Sequence, residues 1–338
     1  MRQILLRVPL PGTEHMLTLY GYGLAMCLGF LVAILVAARR ARRLGQSQDV
    51  IYNCALLSFF GGIVGARLFF VVQYSGRFPS LLDLIKIWEG GLTFYGGLIL
   101  AALAVVGYLR LTGRPVLYWL DIMAPSMALG EGFGRLGCFL NGCCYGDLCH
   151  TAGGFAWPVG SLPWQAYAES YLESIGLGGA TVGGADGAAA VGGLAAAWHM
   201  PAIQPAQLYA LVNAAALFVL LWVGFGRKRR HGQVFFAFIL LYAVSRFLLE
   251  YLRADEAEAY LLGLPTLLRL IGRPDAAAGL AGLTISQNVA ALLAAASVTA
   301  LVALQRSHNR QLQADYVPLE PRPRPAATEG KRRKEKRS

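Results

Sequence analysis

Runs of about 20 apolar residues, each long enough to cross a hydrocarbon layer as a helix, recur along this chain of 338 residues. No other feature restricts the fold as strongly. In lipid a backbone must pair its own N–H and C=O groups, which such a run can do only as a helix. About seven spans are expected, at about 17–38, 51–74, 91–110, 117–140, 206–225, 233–252 and 283–304. The expected fold class is all-α: a polytopic membrane protein. Composition agrees, with 56% hydrophobic and 14% charged residues, where a soluble domain carries about a quarter charged. The first sixteen residues are mixed, and no cleavable signal peptide is expected.

Charge sets the orientation. Arg39, Arg40, Arg42 and Arg43 follow the first span, Arg110 and Arg114 the third, and Arg227, Lys228, Arg229 and Arg230 the fifth. Lys331 to Arg337 follow the last. All these clusters fall on one side, while the alternate loops carry few positive charges. The positive-inside rule then gives an outside N-terminus and a cytoplasmic C-terminus. The net charge of +11 resides in these clusters and forms no basic groove with interleaved aromatics, so no nucleic acid is expected as a partner. Residues 1–305 are expected to form the membrane domain. Within it, 151–203 is a periplasmic insertion rich in Gly and Ala, read as flexible or as a surface helix in its Ala-rich end. Residues 306–338 form a Pro-rich, then basic, disordered tail at the anionic inner leaflet.

Ionisable residues inside spans are costly and point to function. Arg67 sits in GARLFF, Glu131 and Arg135 in GEGFGRLG, and Arg246 and Glu250 in SRFLLEYLR, the last two on one helical face. Several arginines converging near the outer boundary suit an anion, above all a phosphate, because the guanidinium fork matches its oxygens. The alternative is interhelical salt bridges. Tyr20, Tyr22 and Tyr95 stand at outer span ends beside glycines, as belt anchors or as ligand contacts.

Cys138, Cys143, Cys144 and Cys149 follow the fourth span at the expected outer face, with His150 beside them. One or two disulfides are favoured there over zinc, since the common C-x2-C spacing is missing. Cys27 and Cys54 are expected to pack within spans.

Six motifs occur in order: YGYGL, GARLFFVVQY, WEGGLTFYGGL, GEGFGRLGCFLNG, QPAQLY and SRFLLEYLR. The series resembles the prolipoprotein diacylglyceryl transferase family over about 17–304. The resemblance implies a multi-pass enzyme of the bacterial cytoplasmic (inner) membrane, expected as a monomer and without a cofactor. Its partners would be phosphatidylglycerol, preprolipoprotein signal peptides and membrane lipid. It would move diacylglyceryl from phosphatidylglycerol to the thiol of a lipobox cysteine, releasing glycerol phosphate. Carried over by motif, Arg135 and Arg246 serve the phosphate and the transition state. Tyr22, Arg67, Gly97, Asn141, Gly142, Gln207, Tyr209 and Glu250 bind substrate.

The chain departs from the family pattern in places. Tyr95, Cys143, Gln204 and Ala210 stand where many members carry histidine or glutamate. Tyr95 takes the catalytic position, yet a phenol is a weak base at neutral pH. A non-catalytic phospholipid-binding relative therefore stays open, as does a thiol-redox or metal protein built on the cysteines. No metal is assigned.

Overall fold

Hydropathy and helix coincide through most of the chain. The computed structural model describes residues 4–9, 16–74, 90–149, 153–158, 161–174, 202–252 and 284–306. The expectations for the basic tail, the Gly/Ala stretch 175–201 and His150 lie outside the described residues. The helices are α1 (Gly21–Arg43), α2 (Asp49–Gln73), α3 (Phe94–Leu111), α4 (Val116–Asn141), α5 (Leu162–Ser174), α6 (Ala206–Gly224), α7 (Gln233–Glu250) and α8 (Ile285–Arg306). A 3₁₀ turn, Phe225–Arg227, extends α6.

Six of these helices are long and apolar enough to cross a membrane: α1, α2, α3, α6 with its extension, α7 and α8. Large apolar side chains stand exposed on them, among them Phe60, Val72, Val212 and Leu220. A surface of that kind is unfavourable in water and satisfied by lipid. The helix α4 has 26 residues but holds Pro125, Asp121, Glu131 and Arg135. The chain is thus a multi-pass helical membrane protein.

Two features differ from the expectation. The mixed N-terminal segment forms an antiparallel hairpin, β1 (Ile4–Pro9) with β2 (Met16–Tyr20), in which Ile4 pairs with Tyr20. Part of the span 151–203 is ordered: α5 lies within it, and Trp157, Trp164 and Ile203 are buried. These tryptophans supply the apolar burial that Gly and Ala lack.

The described chain falls into two compact units, one of residues 1–33 with 123–307, the other centred on 34–122. In the second unit α2 and α3 touch backbone to backbone. A Cβ on Gly65 would lie 2.4 Å from the Gly96 carbonyl oxygen, and one on Gly97 2.8 Å from that of Gly62. Small residues at a helix crossing permit this approach, which is how lipid-embedded helices gain dispersion contact. Arg40, expected as a loop cation, is buried in this unit, as is Asp121.

In the first unit, Ala124, Ala128, Leu217, Leu221, Val234 and Phe238 form one apolar cluster joining α4, α6 and α7. Asn213 Nδ2 of α6 donates to Ser245 Oγ of α7 at 3.0 Å. The Arg230 guanidinium donates to the Leu304 carbonyl near the end of α8. Beyond α4 the chain folds back on itself: Gly146 N–H donates to the Gln204 carbonyl at 2.9 Å and Cys149 N–H to that of Ala202 at 2.8 Å.

Candidate active site

One face of α7 repeats at helical spacing: Tyr242, Ser245, Arg246 and Leu249. The same face lines a cleft, together with Glu131 and Arg135 of α4, Cys144, and Ala206, Gln207, Ala210 and Asn213 of α6. Every one of these residues belongs to the first unit.

Each arginine of the cleft is held by a carboxylate one helical turn away. Arg135 Nη2 lies 3.5 Å from Glu131 Oε1, with both side chains 18% exposed. The Arg246 guanidinium binds the Glu250 carboxylate directly. Arg246 Nη2 also donates to Ser286 Oγ at 2.9 Å, and Thr284 Oγ1 donates to Glu250 Oε1 at 2.8 Å. The segment leading into α8 therefore fixes the pair carried by α7. Pairing of this kind keeps two cations tolerable among apolar helices, where an unpaired charge is expensive.

Gln207 stands at the first turn of α6 and is 1% exposed. Its Nε2 donates to the Cys143 carbonyl at 2.8 Å, while its Oε1 is buried with no hydrogen-bond partner among the described residues. Glu131 Oε2 is in the same state. The cleft therefore offers two guanidinium forks, two open acceptors and the positive end of α6, a combination suited to an anion that also carries hydroxyl or thiol protons.

The other expected residues distribute as follows. Tyr22 packs on α4, its ring 3.1 Å from where a Cβ on Gly137 would lie. Asn141 ends α4 and hydrogen-bonds Cys143. Gly142 takes φ +79°, a left-handed turn that a Cβ would disfavour. Tyr209 lies on α6 outside the cleft lining and is half-exposed.

Arg67, Tyr95 and Gly97 belong to the second unit. Arg67 is buried, and its Nη1 donates to the carbonyls of Gly90 at 2.7 Å and Gly91 at 3.2 Å. Tyr95 is half-exposed at the start of α3, beside Phe94.

The Sγ atoms of Cys138, Cys143 and Cys144 lie within 4.8 Å of one another, and Cys149 is outside that group. No disulfide joins any of the six cysteines. The hydrogen bond with Cys138 draws the Cys143 thiol pKa down, but the one with Cys144 and burial outweigh it, leaving the pKa above the usual value.

Sequence reasoning marked Glu131 as a buried charge but gave it no role. Asn213, Tyr242 and Ser245 were missed, because single polar residues in apolar helices carry no motif. Their signal was the shared face with Arg246.

Fold and cleft together define a class: a multi-pass helical membrane protein with paired guanidinium groups lining one site. A model of the prolipoprotein diacylglyceryl transferase family matches residues 13–303, and the chain belongs to that family. A protein of Clostridium tetani named phosphatidylglycerol–prolipoprotein diacylglyceryl transferase is 30% identical over 242 residues, covering 71% of this chain and 82% of its own. One of the same name from Geobacter sulfurreducens is 34% identical over 253 residues, covering 72% and 81%. A third, from Corynebacterium diphtheriae, is 26% identical over 313 residues, covering 90% and 96%.

Proposed function

We propose that this protein transfers the diacylglyceryl group of phosphatidylglycerol to the lipobox cysteine of a preprolipoprotein. The carrying observation is the cleft in which Arg135, Arg246 and the open acceptor of Gln207 meet. The lipobox sulfur attacks the glyceryl carbon that bears the phosphate. A C–S bond forms, the C–O bond breaks, and glycerol phosphate leaves with the bonding electrons. Arg246 exchanges its carboxylate for the phosphate, while Arg135 stays on Glu131 and turns the rest of its fork to the phosphate; both meet its growing charge. Gln207 Oε1 accepts from a headgroup hydroxyl.

Glu131 takes the thiol proton. It supplies the base that Tyr95 and Cys143, at positions where many relatives carry histidine or glutamate, do not. Its Oε2 is open and its other oxygen is held by Arg135. Tyr22, Asn141, Gly142 and Tyr209 shape the surroundings of the headgroup.

We place α4 in the bilayer as a further span, because its charged groups are paired and Pro125 is compatible with a membrane helix. That gives seven spans in the inner membrane, N-terminus outside and C-terminus in the cytoplasm, acting as a monomer.

The test is purified protein with phosphatidylglycerol and a lipobox peptide, read by mass spectrometry. Lipidated peptide from wild type and none from Arg135→Ala is expected. No lipidation from folded wild type would sink the proposal. Glu131→Gln is expected to slow transfer about 10²–10⁴-fold at neutral pH, as removal of a general base does. The residual rate should rise with pH as the peptide thiol ionises. A variant that keeps the wild-type rate and pH profile would remove Glu131 from the mechanism.

A further inference from the structure

The transfer reaction uses the turn after α4 only in part, yet the fold shapes that turn closely. Cys138 lies on the last turn of α4, where its carbonyl accepts from the Gly142 N–H at 2.9 Å and the Cys143 N–H at 3.1 Å. Gly142 takes φ +79° and Cys144 takes φ +59°. The left-handed region is unfavourable for a residue with a Cβ and persists where the surroundings impose it. Gln207 imposes part of it, holding the Cys143 carbonyl at 2.8 Å. The outcome is three half-buried sulfurs within 4.8 Å of one another.

We propose that Cys138, Cys143 and Cys144 form a three-thiolate site for a soft d¹⁰ metal ion, of which Zn²⁺ is the chemical type. Thiolates about 2.3 Å from one tetrahedral ion lie about 3.8 Å apart, so the three sulfurs, within 4.8 Å of one another, need close by at most about 1 Å. Soft sulfur ligands select zinc or cuprous ions over magnesium or calcium. A disulfide would use two of the sulfurs and strand the third, whereas one ion engages all three. Asn141, bonded to Cys143, would orient that ligand from outside the coordination sphere.

Binding Zn²⁺ expels three thiol protons to solvent and leaves a site of net charge −1, with water completing the tetrahedron. Cys144 also lines the cleft that holds Arg135 and Arg246, so the metal site and the arginine cleft share a wall.

The experiment uses the full chain in lipid nanodiscs, reduced and stripped with chelator. It is titrated with Co²⁺ as a coloured probe and then with Zn²⁺. A one-to-one thiolate–cobalt charge-transfer band, displaced by zinc, is expected. Cys138→Ser and Cys144→Ser are each expected to weaken zinc binding about 100-fold or more, while Cys149→Ser and Cys27→Ser leave it intact. Zinc should also raise the Tm of wild type and of Cys149→Ser but not of Cys138→Ser, a readout that does not need activity. Absence of the band in reduced wild type overturns the proposal. Equal loss in Cys149→Ser overturns it too, since the ligand set would then be another.

Discussion

Arg246 and Arg67 are both arginines of apolar helices, and they are held in opposite ways. Arg246 leans on a carboxylate and a hydroxyl beside a cleft. Arg67 is buried, with Nη1 on two backbone carbonyls and Phe70 beneath its guanidinium at 5.7 Å. A carboxylate is an anion, so another anion can replace it at modest cost. A carbonyl pair is a neutral anchor that a phosphate gains little by displacing. The difference teaches that two buried cations can differ in how readily they accept an incoming anion, according to the charge of the partner each already holds.

The largest expected effect comes from breaking the first arrangement. Arg246→Ala should lower lipidation about 10²–10³-fold, the scale of losing one donor to a developing oxyanion. Its Tm should also fall, because the buried Glu250 carboxylate loses its cation. Arg67→Ala should leave the rate largely intact. It takes a charged donor from two partly buried carbonyls, costing about 1–3 kcal/mol of stability, with transfer by the folded fraction kept within about tenfold. Equal rate losses at unchanged Tm would instead put Arg67 on the substrate.

A smaller effect separates two glycines of α2. Gly65→Ala would press a methyl against the Gly96 carbonyl, whereas a Cβ on Gly62 meets nothing within 4 Å. Thermal unfolding should show a loss of about 1–3 kcal/mol for the first. For the second it should show none, or a slight gain.

The smallest effect is a titration in α5 of the first unit. Burial, with Asp147 next, pushes the Tyr167 hydroxyl up to about 12. The folded state then holds a proton that the unfolded chain releases near 10. Its contribution is complete below about pH 10 and is lost as pH rises toward 12. Tyrosinate absorbance should show a late phenol that Tyr167→Phe lacks.

Much of this arrangement was legible in advance, for a physical reason. Lipid enforces helices, so hydropathy alone located α1, α2, α3, α6, α7 and α8. The same medium makes charge rare, so Arg135, Arg246 and Glu250 stood out. The exceptions lie where lipid does not dictate. The hairpin Ile4–Pro9 with Met16–Tyr20 and the docked Trp157 and Trp164 depend on distant pairings that no local period announces. Gln207 was named from its motif. That its amide would split between the Cys143 carbonyl and an open acceptor depends on a contact 64 residues away. Gly97 is expected from its motif as a ligand contact; that a Cβ on it would lie 2.8 Å from the Gly62 carbonyl oxygen of α2 depends on a helix crossing the motif does not announce.

The bond between Arg246 and Ser286, with its companion from Thr284 to Glu250, bears on how the protein is born. Synthesis runs from the N-terminus, so α4, α6 and α7 leave the ribosome before the two hydroxyls that steady the Arg246–Glu250 pair. Until Ile285–Arg306 is threaded into the bilayer, that pair has neither. A nascent or prematurely stopped chain thus reaches the membrane with Arg246 on Glu250 but without those two hydroxyls, and the segment entering α8 acts as a latch closed late in synthesis.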